Sequence, residues 1–416
     1  MSTEQIEGSL GVAKAVSLCK PGVVCAYPIS PQTHIVENLG KFVKSGALKH
    51  CEYLNVESEF AAMSVAIGSS AGGVRTYTAT ASQGLLFMAE AVYSASGLGL
   101  PIVMTVASRA IGGPINIWND HSDSLSQRDS GWLQLFCESN QDAVDTHIMA
   151  FKIAEKVGLP VMVCMDGFVL THAFERLNLP SQEQVDAFLP KYEPREFLTP
   201  KEPISIGSMV GPEAFTEVRL LQQRKMLSSL QVIEDVTKEY REITGQHSGG
   251  LLDCYNCENA DLKLIILGSS VGTAKDEIDR LKAQGINVGL ISLKAYRPFP
   301  YAALKAAVGN SSQVVCVERA FSFGARGIIC PEVKRALEGT STKVCTALAG
   351  LGGRAIYGST INGIVKHALD GKFKDEFTWF DIDTKVLNSY TRNALGITFP
   401  EGPIAESELE ATLLRA

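Results

Sequence analysis

Two α/β units, each built on a largely parallel sheet, are predicted from three features of the sequence. At 416 residues the chain exceeds one average domain, so two or three are expected. Short runs rich in Val, Ile and Thr, bounded by Gly or Pro, alternate with helical patterns in both halves. A polar, glycine-containing stretch at 247–260 (HSGGLLDCYNCENA) reads as the linker between them.

The first unit is placed at 1–250. GVVCAY (22–27), EYLNVE (52–57), VRTYTAT (74–80), PIVMTVA (101–107) and PVMVCMD (160–166) read as buried strands. Residues 57–71, 83–97 and 142–157 between them read as helices, and such alternation implies a parallel sheet covered on both faces. Residues 176–212 hold six prolines and little periodicity, which predicts an extended excursion packed on a neighbour. A long polar helix follows over 213–245, with Val218, Leu221, Met226, Leu230, Ile233 and Val236 as its apolar positions.

The second unit is placed at 260–416. LKLIILG (262–268), INVGLISL (286–293) and SQVVCVE (312–318) read as strands, and 273–285 and 330–339 as helices. The tail after about 371 gives no clear signal, and there is no internal repeat.

Apolar residues at 45% and charged residues at 20% exclude disorder over most of the length. Net charge is −7 with no basic run to track phosphates, which argues against nucleic acid as a partner. The N-terminal stretch is not a secretory signal, and no window approaches the ~18 apolar residues that span a bilayer. A cytoplasmic protein without membrane partners is expected. Ten cysteines are too sparse for a disulfide scaffold, and Cys25, Cys164 and Cys316 sit in strand-like runs as small hydrophobes.

Several motifs carry weak chemistry. GSSVG (268–272) matches a nucleophile elbow with Ser270 at its centre, which alone suggests a serine hydrolase. A later acid and His are required; only His367 follows, in a stretch that reads as an amphipathic helix. A tight strand–helix turn explains the motif more simply. The same turn lacks the third Gly and the ribose-binding acid of a dinucleotide site. CYNC (254–257) is a lone CxxC: Cys254 and Cys257 have no second pair for zinc and no following helix for a redox pair, which leaves a plain structural stretch, with a role at a partner interface as the alternative.

Three segments are richer. YPISPQT (27–33) sets the Ser30 hydroxyl between two prolines that restrict the loop. NVESEFAAM (55–63) places Glu59 at the start of a predicted helix, where the helix dipole alone would favour an acid. SRAIGGPINIWNDHSDSLSQRDSGW (108–132) is polar and long for a loop. All three follow strands, so in a parallel sheet they share one rim, where such folds place their sites.

YPISP, ESEFAAM, TATASQGLLFMAEAVY, SRAIGGPINIWNDHSDS, QRDSGW and LPVMVCMDGFVLTH, in this order, resemble the α subunit of the 2-oxoacid:ferredoxin oxidoreductases, in particular its pyruvate members. GSSVGTAKDEIDRLKAQGINVGLISLKAYRPFP, ERAFSFGARG and GLGGR resemble the transketolase C-terminal-like domain of the same subunit. The resemblance covers roughly residues 15–370. It implies a pyrimidine-type thiamine diphosphate domain at 1–250 followed by a transketolase C-terminal-like domain at 260–416. It also implies coenzyme A-dependent oxidative decarboxylation of a 2-oxoacid, with electrons leaving singly through iron–sulfur clusters.

Residue by residue, the resemblance implies that Glu59 is the carboxylate that bonds the cofactor's aminopyrimidine ring. It implies that Arg109 binds the substrate carboxylate, for which a guanidinium fork is suited. Ser30 stands where the family usually has Thr. Gly112 and Gly113 stand where pyruvate enzymes commonly have Ser and Ala. These departures remove side-chain volume and point to a bulky or aromatic 2-oxoacid such as phenylglyoxylate, with pyruvate as the alternative. MDGF (165–168) is not the GDG that begins a diphosphate–Mg2+ site, and Cys-rich cluster-binding runs are absent. The resemblance therefore implies partners: a β subunit with the diphosphate–Mg2+ half, γ and iron–sulfur (δ) subunits, and ferredoxin or another acceptor. A noncatalytic assembly subunit that keeps the fold is the remaining alternative.

Overall fold

The computed structural model describes residues 2–413, apart from the side chains of 391–395 and 413. Two compact units emerge. The first runs to Leu251 and regains Lys294–Pro300; the second holds Leu252–Leu293 and the chain from Tyr301 onward.

The first unit contains β1 (Ser2–Glu7), α1 (Gly8–Leu18), β2 (Val23–Ala26), α2 (Thr33–Ser45), β3 (Glu52–Asn55) and α3 (Glu59–Ala71). It continues with β4 (Thr76–Thr80), α4 (Ser82–Phe87), α5 (Ala89–Gly97), β5 (Ile102–Ser108), α6 (Ser122–Ser126) and β6 (Leu133–Phe136). Then come α7 (Asn140–Val157), β7 (Val161–Asp166), β8 (Phe174–Leu179), α8 (Gln182–Phe188) and α9 (Phe215–Thr244). The second unit begins with β9 (Leu252–Tyr255), β10 (Leu262–Ile266), α10 (Ser270–Ala283) and β11 (Val288–Leu293). After β12 (Ala295–Arg297), which belongs to the first unit, it resumes with α11 (Tyr301–Val308), β13 (Gln313–Glu318), β14 (Phe321–Ser322), β15 (Arg326–Gly327) and α12 (Cys330–Ala336). It ends with β16 (Lys343–Leu348), α13 (Gly358–Leu369), β17 (Phe377–Trp379), α14 (Thr384–Leu395), β18 (Ile404–Ala405) and α15 (Glu406–Leu413).

The main sheet of the first unit has the order β12-β6-β7-β5-β4-β2-β3. Its strands are parallel except β12, which runs antiparallel to β6. β4, β5 and β7 are buried along their whole length, which explains their unbroken apolar and Thr-rich runs. From β2 the chain steps to β3 on one side and then to β4 on the other. The order reverses between β2 and β4, which opens a crevice at the carboxyl ends of the strands.

Several details differ from the sequence reading. β3 is an exposed edge rather than a buried strand, so its Leu54 faces outward. The helix expected at 83–97 is two, broken at Met88, whose φ/ψ of −92°/6° leave the helical region. The proline-rich excursion is partly regular: β8 pairs antiparallel with β1 from Ser2↔Leu179 to Glu7↔Phe174, and Ser181 with Gln184 forms a capping box that starts α8. On α9 the expected apolar face is buried at Met226, Ile233 and Val236, whereas Val218 and Leu221 are exposed.

The second unit has a seven-stranded sheet of order β18-β17-β16-β13-β10-β11-β9, parallel except for its two edge strands. Val271, Ile278 and Leu281 of α10 and Ile361, Ile364 and Val365 of α13 pack on Leu264, Ile266, Val315 and Val317. The stretch 247–260 is not merely a linker, because β9 lies inside it and pairs with β11. The tail that carried no clear signal adds β17 and β18; only 414–416 lie outside the described residues. Among the described residues no helix is long and apolar enough to cross a membrane.

Candidate active site

Because β2, β3, β4 and β5 are parallel, the segments that follow them leave one rim. Ser58, in an extended conformation, caps α3 by accepting from the Ala61 N–H at 3.2 Å. That cap leaves the next residue, Glu59, in the first turn of α3. Its side chain is only 7% exposed, yet its carboxylate receives no hydrogen bond or ion pair from the described residues.

What crowds Glu59 is the turn after β4. A Cβ on Gly84 would lie 2.6 Å from Glu59 Oε1 and 2.6 Å from Thr80 Oγ1. The buried Thr80 hydroxyl also has no hydrogen-bond partner among the described residues. Ser82 takes a positive φ of 50°, which turns the chain sharply from β4 into α4. Asp123 holds this turn in place. Its Oδ2 accepts from the backbone N–H of Ser82 at 2.8 Å and of Arg109 at 2.9 Å, while Oδ1 accepts from Ser124 N–H at 2.6 Å. Burial pushes the Asp123 carboxyl up to about 7 against these three donors. One carboxylate thus clamps the exits of β4 and β5.

Arg109 is the first residue after β5 and is 7% exposed. Its Nη1 donates to the Ser30 carbonyl at 2.9 Å and its Nε to the Asn116 carbonyl at 3.2 Å. No carboxylate of the described residues forms an ion pair with its guanidinium. Burial lowers its affinity for the proton, and Asp123 opposes this. The predicted residues Ser30 and Arg109 are therefore brought together, through the Ser30 backbone rather than its exposed hydroxyl. Gly167 of the MDGF segment serves the same assembly, since a Cβ there would strike Pro31 Cγ at 2.5 Å. Its neighbour Asp166 pairs with His121 Nε2 at 2.8 Å.

The two predicted glycines have distinct roles. A Cβ on Gly112 would fall 2.0 Å from Gln83 Nε2, so the missing side chain seats the Gln83 amide. Gly113 has φ +117°, which L side chains rarely adopt, and nothing lies within 4 Å of its Cβ position.

Sequence reasoning missed Gln83, Gly84 and Asp123. The SQG turn between a strand and a helix was the available signal for the first two. It also missed an outer group, Glu7, His34 and His172, whose potential ligand atoms lie within 4.8 Å of one another. His34 Nδ1 bonds Glu7 Oε1 at 2.7 Å, and His172 stacks between His34 and Phe168. Phe168 in turn meets Trp118 of the Arg109 loop at 4.9 Å between ring centroids.

The hydrolase alternative does not survive. The Ser270 hydroxyl is buried in the first turn of α10 without a hydrogen-bond partner among the described residues. His367 instead packs edge-on against Phe373 and Phe380, so no base reaches the serine.

Comparison with known proteins identifies the class. The family described as pyruvate flavodoxin/ferredoxin oxidoreductase, thiamine diP-bdg, matches residues 14–238, and pyruvate:ferredoxin oxidoreductase core domain II matches 260–361. Pyruvate synthase subunit PorA of Methanocaldococcus jannaschii is 45% identical over 367 residues, 87% of this chain and 94% of its own. The PorA subunit of Methanosarcina barkeri is 43% identical over 366 residues, covering 87% and 91%. Ketoisovalerate oxidoreductase subunit VorA of Pyrococcus abyssi is 38% identical over 384 residues, covering 91% and 97%.

A structure of 2-oxoglutarate:ferredoxin oxidoreductase from Magnetococcus marinus, with 2-oxoglutarate, coenzyme A and succinyl-CoA bound, shares the fold. Its TM-score is 0.67 at 20% identity, covering 88% of this chain and 65% of that one. A split-gene transketolase, described as an inactive β4 tetramer, has a TM-score of 0.53 at 13% identity, covering 88% and 99%. The fold is thus a thiamine-diphosphate-binding parallel-sheet domain followed by a transketolase C-terminal-like domain. The chain belongs to the α subunits of the 2-oxoacid:ferredoxin oxidoreductases, and it is a subunit of an oxidoreductase of that class.

Proposed function

We propose that this subunit supplies the pyrimidine half of a thiamine diphosphate site for coenzyme A-dependent oxidative decarboxylation of a 2-oxoacid. The observation that carries the reading is Glu59: a largely buried residue whose carboxylate has no partner among the described residues, at the rim and beside a glycine that must stay bare. Such a carboxylate fits the ring nitrogen of an aminopyrimidine, which would supply its missing hydrogen bond. When bound, thiamine diphosphate provides the electron sink for loss of CO2. Glu59 would hold and stabilise a proton at the ring nitrogen N1′. Arg109, fixed by the Ser30 and Asn116 carbonyls, would orient the substrate carboxylate. Asp123 would keep both rim segments in register.

The remaining parts lie with partners in this proposal: Mg2+ and the diphosphate half on a β subunit, iron–sulfur clusters on γ and δ subunits, and ferredoxin or another acceptor beyond them. The naming of the relatives as subunits supports this, as do the exposed apolar side chains Phe60, Ile115, Ile117 and Trp118 on segments leaving the rim. Two domains with the boundaries 1–250 and 260–416 are part of the same proposal.

The test is Glu59→Gln in the purified complex. An amide still hydrogen-bonds but cannot stabilise a protonated ring, so turnover falls by roughly a hundredfold to ten-thousandfold with assembly intact. Near-normal turnover would instead support the noncatalytic assembly role.

For the substrate, we infer a 2-oxoacid with a bulky or aromatic side chain, phenylglyoxylate being the leading candidate and pyruvate the competitor. In support, the space beside Gly113 is open, whereas the Gln83 amide fills the place of a Gly112 side chain. Each additional buried methylene contributes about 0.8 kcal/mol, so several carbons are worth roughly tenfold or more in kcat/KM. The identities to pyruvate synthase subunits favour the competitor. The ratio of kcat/KM for phenylglyoxylate and pyruvate on the whole complex decides: a value well above one is expected, and a strong preference for pyruvate rejects the enlarged pocket.

A further inference from the structure

We propose that Cys254 and Cys257 form a reversible dithiol–disulfide site at the open edge of the second unit's sheet. Eight of the ten cysteines are buried; Cys254 is exposed and Cys257 half-buried, so this pair alone faces an oxidant in solution. The two thiols are close enough that each shifts the proton affinity of the other.

The turn that brings them together is built into the fold. Cys254 lies on β9, an edge strand, opposite Ile291. Asn256 then takes a φ of +51°, a left-handed conformation that Asn tolerates better than most residues. Its side chain is anchored three times: Nδ2 donates to Asn287 Oδ1 at 2.8 Å and to the Val288 carbonyl at 2.9 Å, and Oδ1 accepts from Lys282 Nζ at 2.7 Å. The Cys257 thiol donates to the Leu290 carbonyl at 3.2 Å. Opposite, β11 carries Gly289, where a Cβ would lie 3.1 Å from Cys257 Cα. The strand thus leaves room for this turn.

The environment makes Cys257 the attacking sulfur. The neighbouring Cys254 thiol pulls the Cys257 thiol below the usual thiol range against the effect of burial, and the Lys263 charge assists. Lys263 is held in place by the Ala307 and Val308 carbonyls, each at 2.9 Å. The Cys254 thiol is correspondingly pushed up.

The oxidant class is a low-molecular-mass disulfide. The Cys257 thiolate attacks one sulfur, forms a mixed disulfide and expels a thiolate. Cys254 then loses its proton and attacks Cys257 Sγ, forming the intramolecular disulfide and expelling the second thiolate. Two protein thiols are oxidised and one disulfide is reduced to two thiols. A dithiol reductant reverses both steps.

The full chain is equilibrated in glutathione buffers of rising oxidised fraction, trapped with a thiol alkylator and mapped by peptide mass. The expected result is loss of two hydrogens from the peptide holding both cysteines, reversed by dithiothreitol, with the eight buried cysteines still alkylated only after unfolding. Cys254→Ser is expected to stop at a Cys257–glutathione adduct, formed at least tenfold faster than the Cys254 adduct of Cys257→Ser. Absence of the intramolecular disulfide at every ratio overturns the site. Equal adduct rates in the two variants overturn the assignment of Cys257 as attacking sulfur.

Discussion

At Gly84 a single absent side chain sets the position of a charge. Glycine inside a helix is usually a weakness, and Gly→Ala typically stabilises by up to ~1 kcal/mol. Here the added methyl would come within 2.6 Å of both Glu59 Oε1 and Thr80 Oγ1. Overpacking costs about 1–3 kcal/mol and largely cancels the helical gain, so Gly84→Ala is expected to leave the melting temperature of the complex within a few degrees of wild type. Turnover is expected to fall at least tenfold, because the carboxylate must move and ~1.4 kcal/mol of lost transition-state stabilisation suffices for that. Steady-state kinetics beside a thermal melt check it; unchanged turnover would show that the placement of Glu59 is not critical. Glu59, Arg109 and Ser30 were singled out as candidates in sequence because each lies in a contiguous motif. Asp123 was not, since it acts on Ser82 and Arg109, 41 and 14 residues away, and only the fold joins them.

At the scale of the element, most strands of the two sheets and the longer helices were legible. Several elements escaped, among them the buried strands β6 and β16, the helices α1 and α2, and the strands held by pairing rather than by periodicity. β1 and β8 form a two-stranded ribbon of mostly polar residues, and β9 hides in a glycine-rich stretch. α12 shows how a buried helix start is secured. Glu318, at the end of β13, accepts from the backbone N–H groups of Ile328 at 2.7 Å, Ile329 at 2.8 Å and Cys330 at 3.2 Å, and from Thr346 Oγ1 at 3.0 Å. Burial pushes its carboxyl above the usual carboxylate range against these donors. Gly327 must be bare, because its Cβ would lie 2.3 Å from Glu318 Oε1. Glu318→Ala would take the partner from four donors, three of them buried. At about 1–3 kcal/mol for each, even partial rescue by water leaves a loss of several kcal/mol, seen as a lower urea midpoint for the second unit. A midpoint within error of wild type would mean that the loop re-pairs its donors locally.

At the scale of the whole molecule, the order of elements along the chain governs how the first unit is completed. Its sheet ends in β12, which arrives only after three strands and a helix of the second unit have been laid down. Ala295 pairs with Leu135, and just before it Lys294 Nζ reaches Asp142 Oδ1 at 3.4 Å, both side chains being almost wholly buried. Asp142 also accepts from Gly249 N–H at 3.0 Å, so one carboxylate on α7 gathers the segments at which the chain leaves and re-enters the unit. The sequence suggests none of this: SLKAYRPFP reads as the end of a strand, and nothing in its pattern sends it back to β6. Removing one partner of a buried pair costs about 3–5 kcal/mol, whereas replacing both can be nearly neutral. Lys294→Met is therefore expected to lower the unfolding free energy of the first unit by about that amount, and Asp142→Asn added to it to recover part of the loss. Hydrogen exchange at β6 reads the effect directly: without its anchor β12 frays, and the amides of Leu133–Phe136 lose protection before those of β5. Equal protection of β6 in wild type and Lys294→Met would mean that strand pairing, not the ion pair, holds the returning segment.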